Sequence, residues 1–245
     1  MSYLKDLLQT RAGDHPDIFE NAIIEKSPKF QKETIEPDWT YAVMHLACQS
    51  MIKNIAEQNS SRLKLLDVGS HFSFISFASS FFDVVMLEPR VKDADLSIKG
   101  ICNLYRVTGE AQNLPFQDGV FNLVTSLHAV EHFGLGRYGD TLDYFGDQRG
   151  IKEFIRVLSP GGILIIAVPA AKKSEIEFNG QRKYNPADFE NIVTRLGVRK
   201  LQSFISYVHG SRQDGINIGS ESSIEDYSES FTPPVLISVY QKEME

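Results

Sequence analysis

The chain is poor in cysteine and in surplus positive charge, and each shortage closes a class of function. Its two cysteines, Cys48 and Cys102, lie far apart and form no metal-binding spacing. That excludes a disulfide framework and a zinc ribbon, and two free thiols in a reducing compartment are expected. Lys and Arg number 25 against 32 Asp and Glu, a formal net charge of −7. No sustained basic face is on offer to a phosphate backbone, so nucleic acid is not an expected partner. No apolar run approaches the ~20 residues that cross a bilayer. The first residues, MSYLKDLLQTRAGDHPD, are charged and amphipathic rather than arranged as a signal peptide. The expectation is a cytoplasmic protein without a membrane span, with a homodimer allowed.

What is present is a core and an alternation. Hydrophobic residues make up 42% of 245 positions, enough for one large α/β domain with small additions. Residues 1–60 read as a helical N-terminal extension, with Tyr41, Met44, Ala47, Met51 and Ile55 at helical spacing. His45 in that helix is given no role. Residues 61–245 read as one domain of alternating strands and helices. Five short apolar runs, LKLLDVG, DVVMLEP, LYRVTGEAQ, GVFNLVTSLHAV and ILIIAVP, read as strands of a sheet covered on both faces. Two later runs, KLQSFISYV and PVLISVYQK, bring the count to seven, with a long Ser- and Gly-rich polar loop between them. GDQRGIKEFIRVL is a helix closed by SPGG. NPADFENIVTRLG is a helix with Asn185 as its cap, Pro186 in its first turn and Gly197 at its end. The predicted fold is a doubly wound, mostly parallel seven-stranded sheet.

Ligands of such sheets sit beyond the carboxyl ends of the strands. The first strand ends Asp67-Val68-Gly69-Ser70-His71-Phe72-Ser73, where a nucleotide-binding loop ordinarily continues with further glycines. The second ends at Glu88, a carboxylate able to accept from both hydroxyls of a ribose. Glu110-Ala111 follows the third and suits an adenine edge and ring. The fourth ends SLHAVEHFG, with His128 and His132.

The order LLDVG, VVMLEP, VTGEAQNLPFQDGVFNLVTSLHAVEHFG, IKEFIRVLSPGGILIIAVP resembles the class I S-adenosylmethionine-dependent methyltransferases over roughly residues 63–170. The glycine fingerprint of dinucleotide dehydrogenases is absent. EHFGLGRYGD further resembles a little-characterised methyltransferase-like family with the same loop and a similarly glycine-poor first turn. The resemblance implies S-adenosylmethionine as cofactor. Asp67, Gly69, Ser70 and His71 would face its methionine part, Glu88 its ribose, Glu110 and Ala111 its adenine, and His128 would lie near the sulfonium. The side chains of His71 and Phe72 stand where glycine would allow close approach. The loop either takes another path and binds, or affinity is lost and the fold serves as a binding or scaffold module.

The segment EHFGLGRYGDTLDYFGDQRG, residues 131–150, has five glycines and three aspartates, Asp140, Asp143 and Asp147. It reads as a loop over the methyl-donor end, for an acceptor such as a sugar or surface-glycan precursor. Transfer to a hydroxyl needs a base, and His132, His128 and Asp140 are the candidates. Arg137 and Tyr138, with Arg182 and Tyr184 from FNGQRKYNPADF, are candidate substrate contacts. The structural alternatives are a strand-ending His128, a packed His132, glycines serving a tight turn and aspartates capping the next helix. A divalent cation on the three aspartates is a further alternative, but their spacing lacks the alternation of a calcium loop, and no metal site is expected.

Overall fold

The computed structural model describes residues 39–88, 103–137, 140–177, 180–208, 216–226 and 234–244. The short amphipathic stretch near the start, Tyr138, Cys102 and the 209–215 segment lie outside them. The compact unit begins at Trp39. Helix α1 (Trp39–Glu57) is followed by β1 (Lys64–Val68), α2 (Phe72–Ala78), β2 (Asp83–Glu88), β3 (Leu104–Thr108) and β4 (Phe121–Leu127). A single 3-10 turn, Val130–His132, leads to α3 (Gly146–Val157) and β5 (Leu158–Pro169). Then come β6 (Glu175–Glu177), β7 (Gln181–Lys183), α4 (Pro186–Thr194), β8 (Val198–Val208), β9 (Ile216–Gly219), a 3-10 turn Glu221–Asp226 and β10 (Val235–Lys242).

The sheet runs β3-β2-β1-β4-β5-β10-β8-β9. The first five strands in that order are parallel, and β10, β8 and β9 add antiparallel. It has eight strands rather than seven, because INIG, read as part of a polar loop, pairs as β9 along β8 from Ile205 to Val208. Four residues with two isoleucines carry too little pattern to stand out from serines and glycines. A separate ribbon, β6 with β7, also lies where the sequence suggested a connection. The four residues SPGG follow α3 as expected, but within the start of β5: pairing with β4 jumps from Leu158 to Ile163 across them.

Strand residues alternate between two cores, as a two-residue period requires. Leu65, Leu123, Leu127, Ile165, Ala167, Val235 and Ile237 face α1 and α2, where Met44, Cys48, Ile52, Phe74 and Ile75 meet them. Leu66, Val124, Leu164, Ile166, Val168 and Leu236 face α3 and α4 and pack on Ile151, Phe154, Phe189 and Val193. Each such side chain fully withdrawn from water stabilises the fold by about 1.5–3 kcal/mol, so α1 is held by its three fully buried residues. The cap of α4 is as read: Asn185 Oδ1 accepts from the amides of Ala187 and Asp188. Gly197 then turns the chain at φ +95°.

Because β1 lies between β2 and β4, the ends of three adjacent strands bring Glu88, Gly69-Ser70 and His128 to one edge. The chain changes direction between β1 and β4, so this edge is the crevice where doubly wound sheets bind ligands.

Candidate functional site

The turn after β1 is built from below. Asp67 is fully buried; its Oδ1 accepts from the Ser70 amide at 3.1 Å and its Oδ2 from the Thr125 hydroxyl at 2.6 Å. Burial pushes this carboxyl up to about 6 despite those donors. Asp67 therefore shapes the turn and ties β1 to β4, rather than presenting a free carboxylate to a ligand. Ser70 Oγ accepts from the Leu127 amide at 3.1 Å, a second tie between the same strands. Gly69 has φ +79°, and a Cβ on it would stand 2.6 Å from Ala129 Cβ. Only glycine meets both conditions.

The missing glycines after Gly69 have a local explanation. His71 is the cap of α2: its Nδ1 accepts from the Ser73 amide at 3.3 Å and lies 2.9 Å from Ser73 Oγ. The helix starts at once at Phe72, so the first side chain after the turn serves the helix end.

His128 follows β4 with φ +60°, a backbone conformation that costs a non-glycine residue on the order of 1 kcal/mol or more. Its amide is held by Ala167 O at 2.9 Å. Its ring Nδ1 lies 2.9 Å from Glu131 Oε1, and the two side chains are 7% and 1% exposed. A carboxylate only accepts, so Nδ1 donates to it. Glu131 Oε1 is also 3.8 Å from Nε2 of His132. Its Oε2 is buried and meets no hydrogen-bond partner among the described residues. The sequence reading missed Glu131. The signal was present in HAVEH, since residues three apart on a helical turn share a face.

His132 is placed differently. Its Nδ1 donates to Gly180 O at 2.8 Å, and Arg137 donates to the same carbonyl at 3.0 Å. Burial foremost, and then the charges of Arg137 and His128, lower its pKa, with Glu131 and Gly180 O pulling the other way. His132 is thus a buried neutral ring, and Arg137 is an exposed cation beside it.

The glycine-rich segment is a packed loop. A Cβ on Gly134 would lie 2.2 Å from Asp143 O, one on Gly146 2.8 Å from Gly134 Cα, and one on Gly150 2.6 Å from the Phe133 ring. Asp140 Oδ2 accepts from the Gly134 amide at 2.6 Å, so this candidate base closes the loop. Arg182 and Tyr184 were expected in a substrate wall, and the structure places both underneath instead. Arg182 is 4% exposed and donates to the carbonyls of Phe133, Asp143 and Tyr144. Tyr184 is 3% exposed and donates to Asp147 Oδ2 at 2.8 Å. Their partners are mostly main-chain oxygens some forty residues away, which no local pattern announces. Asp143 pairs with Arg149 and Asp147 lies 3.7 Å from Arg182, so the three aspartates are engaged separately.

Glu110 is exposed on a turn bridged to Asn113, with Ala111 buried beside it. That turn is clamped from below: Glu153 accepts from the Leu114 amide, and Arg156 donates to the carbonyls of Leu114 and Phe116. Glu88 closes β2 opposite Thr108, and its carboxyl group, like Tyr138, lies outside what the structure describes. A shallow depression lined by Arg199, Gln241, Lys242, Glu243 and Met244 is at the opposite end of the sheet and takes no part.

This architecture is the Rossmann-like fold of the class I methyltransferases. A candidate methyltransferase from Bacillus halodurans C-125 aligns over 80% of this chain and 99% of its own, with TM-score 0.57 and 15% identity. A TehB-like S-adenosylmethionine-dependent methyltransferase from Corynebacterium glutamicum aligns over 78% and 86%, with TM-score 0.50 and 16% identity. The [4+2]-cyclase SpnF aligns over 82% and 83%, with TM-score 0.55 and 15% identity. These identities establish the fold. In sequence, residues 102–224, half of the chain, match the family described as Caenorhabditis protein of unknown function, DUF268, and the chain belongs to that family. No curated protein matches it. Among the described residues no helix is long and apolar enough to cross a membrane.

Proposed function

We propose that this protein is an S-adenosylmethionine-dependent methyltransferase acting on a hydroxyl of a small polar acceptor, a sugar or surface-glycan precursor in the cytoplasm. The observation that carries the reading is the buried His128–Glu131 pair, held in a strained backbone at the strand end beside the Gly69 turn. Strain and a buried carboxylate on an imidazole mark a site whose surroundings pay for its geometry.

The residues fit the cofactor. At the end of β1 the chain turns at Gly69, φ +79°, with Ala129 packed where a side chain would stand, and His45, whose ring centroid lies 6.0 Å from that of His71, has an enclosed Nδ1 without a partner among the described residues. The backbone of Gly69-Ser70 with His71 would hold the methionine part, Asp67 acting by setting that turn. Glu88 would hold the ribose and Glu110 with Ala111 the adenine. S-adenosylmethionine, when bound, supplies a methyl group already activated on sulfur. His128 takes the acceptor hydroxyl's proton on Nε2, and Glu131 orients the ring and stabilises the imidazolium that forms. His132, with its Nδ1 committed to Gly180 O, shapes the loop beside Arg137, which is the remaining candidate for an anionic acceptor group.

Calorimetric titration with S-adenosylmethionine and S-adenosylhomocysteine tests the reading. Micromolar binding is expected, with His128→Ala lowering turnover of any hydroxyl acceptor by about a hundredfold or more. A second reading, a scaffold module, draws on the side chains of His71 and Phe72 in the first loop. Absence of binding at millimolar ligand would establish that reading instead.

A further inference from the structure

Resting on the cofactor reading above, we propose that His45 and His71 together bind the carboxylate of the cofactor's methionine portion, doing with two imidazoles what a glycine-rich loop does with main-chain amides. His45 comes from α1 and His71 from the cap of α2, so the site joins the two helices that flank β1 in sequence. The two rings stand edge to face, with centroids 6.0 Å apart and planes at 75°. Phe74 backs His45 at 6.1 Å. Nδ1 of His45 is enclosed and has no hydrogen-bond partner among the described residues. A buried polar atom left so costs stability unless something else satisfies it. His71 uses Nδ1 to accept from the Ser73 amide, which puts its proton on Nε2, on the side of the ring away from the cap. His71 directly follows the Gly69-Ser70 turn, where the methionine part is expected, and the His45 ring lies against it.

The ligand class follows from charge. His45 is half buried, and burial first, then the neighbouring charges of His71 and His128, disfavour its protonated form. Behind His128 stands Glu131, below the turn stands the buried Asp67, and one turn along α1 is Cys48, whose thiol burial keeps protonated. Three imidazoles crowded together are relieved by one anion. In the cofactor the carboxylate is the single anionic group; the nucleoside carries none. Binding of that carboxylate favours the imidazolium of His45, so the complex takes up a proton. Affinity therefore rises as pH falls, through the range where histidine titrates.

The experiment compares S-adenosylhomocysteine with 5′-methylthioadenosine, which lacks the amino-acid tail, by calorimetry on the full chain. His45→Gln is expected to weaken S-adenosylhomocysteine about tenfold and methylthioadenosine by less than about twofold. His71→Asp retains a good helix cap but places a negative charge beside the ligand. It should weaken S-adenosylhomocysteine more than His45→Gln does, again sparing methylthioadenosine, with an unchanged melting temperature. On wild type, moving from about pH 8 to about pH 6 should tighten S-adenosylhomocysteine alone. Equal losses for both ligands would give the histidines a merely structural role and overturn the inference. So would unchanged affinities, or a pH dependence common to both ligands. In each of those cases the cofactor reading survives, because wild type still binds. If wild type binds neither ligand, the cofactor reading itself falls and takes this inference with it.

Discussion

Asp67 offers a quantitative test of how the turn after β1 is held. Its carboxyl is fully buried and rises from an ordinary 3.8 to about 6. The folded state therefore holds a proton that the unfolded chain has already released between those pH values. The stability this group contributes is fully present below the unfolded value and is lost as pH rises through about 6. At about 1.4 kcal/mol per pH unit, the loss amounts to about 3 kcal/mol. Asp67→Asn removes it without removing the contacts. The amide oxygen can accept from Ser70 N, and its NH2 can donate to Thr125 Oγ1, whose own proton then turns elsewhere. Urea unfolding of both proteins across about pH 4 to about pH 8 isolates the effect as a difference. The variant should gain on wild type as pH rises, by up to about 3 kcal/mol, and level off above about pH 7. A difference that stays flat would refute the reasoning. So would one that runs the other way, with wild type gaining as pH rises, because that would make Asp67 a depressed, well-solvated carboxylate.

Other parts of the site give sharper yes-or-no outcomes. Gly69→Ala combines a positive φ with a Cβ 2.6 Å from Ala129 Cβ; it should cost about 2–4 kcal/mol, and adding Ala129→Gly should recover only the part due to the clash. Arg182→Met leaves the carbonyls of Phe133, Asp143 and Tyr144 without their donor; a loss of about 3–5 kcal/mol is expected, with new protease cleavage between residues 133 and 145. The Cys48 thiol is pushed up to about 12 by burial, so iodoacetamide should modify it only when the chain unfolds.

The parallel half of the sheet was legible because β1, β2, β4 and β5 are short apolar runs bounded by charge or glycine, a pattern imposed by burial on two faces. α4 was legible from Asn185 and Pro186, whose chemistry is local. β9 and the β6–β7 ribbon were not, since each is three or four residues whose partners, not their composition, make them strands. The site divides in the same way. The turn at Gly69 and the histidine at the end of β4 could be placed from strand ends alone. Arg182 and Tyr184 looked like ligand contacts because polar residues near a strand end usually are, yet the loop above them needs donors for its carbonyls. The contacts of Glu131 and His45 were not legible, because His128, His132 and His71 are brought against them by the fold.

The position of β10 has a consequence for how the chain is made. β5 is complete at Pro169, yet its partner β10 begins at Val235, about 65 residues later, and is inserted between β5 and β8. During synthesis the facing edges of β5 and β8 stay unpaired until that strand has left the ribosome. A ribosome pausing before residue 235 would leave two unpaired strand edges exposed, which is the interval when a chaperone would be of most use.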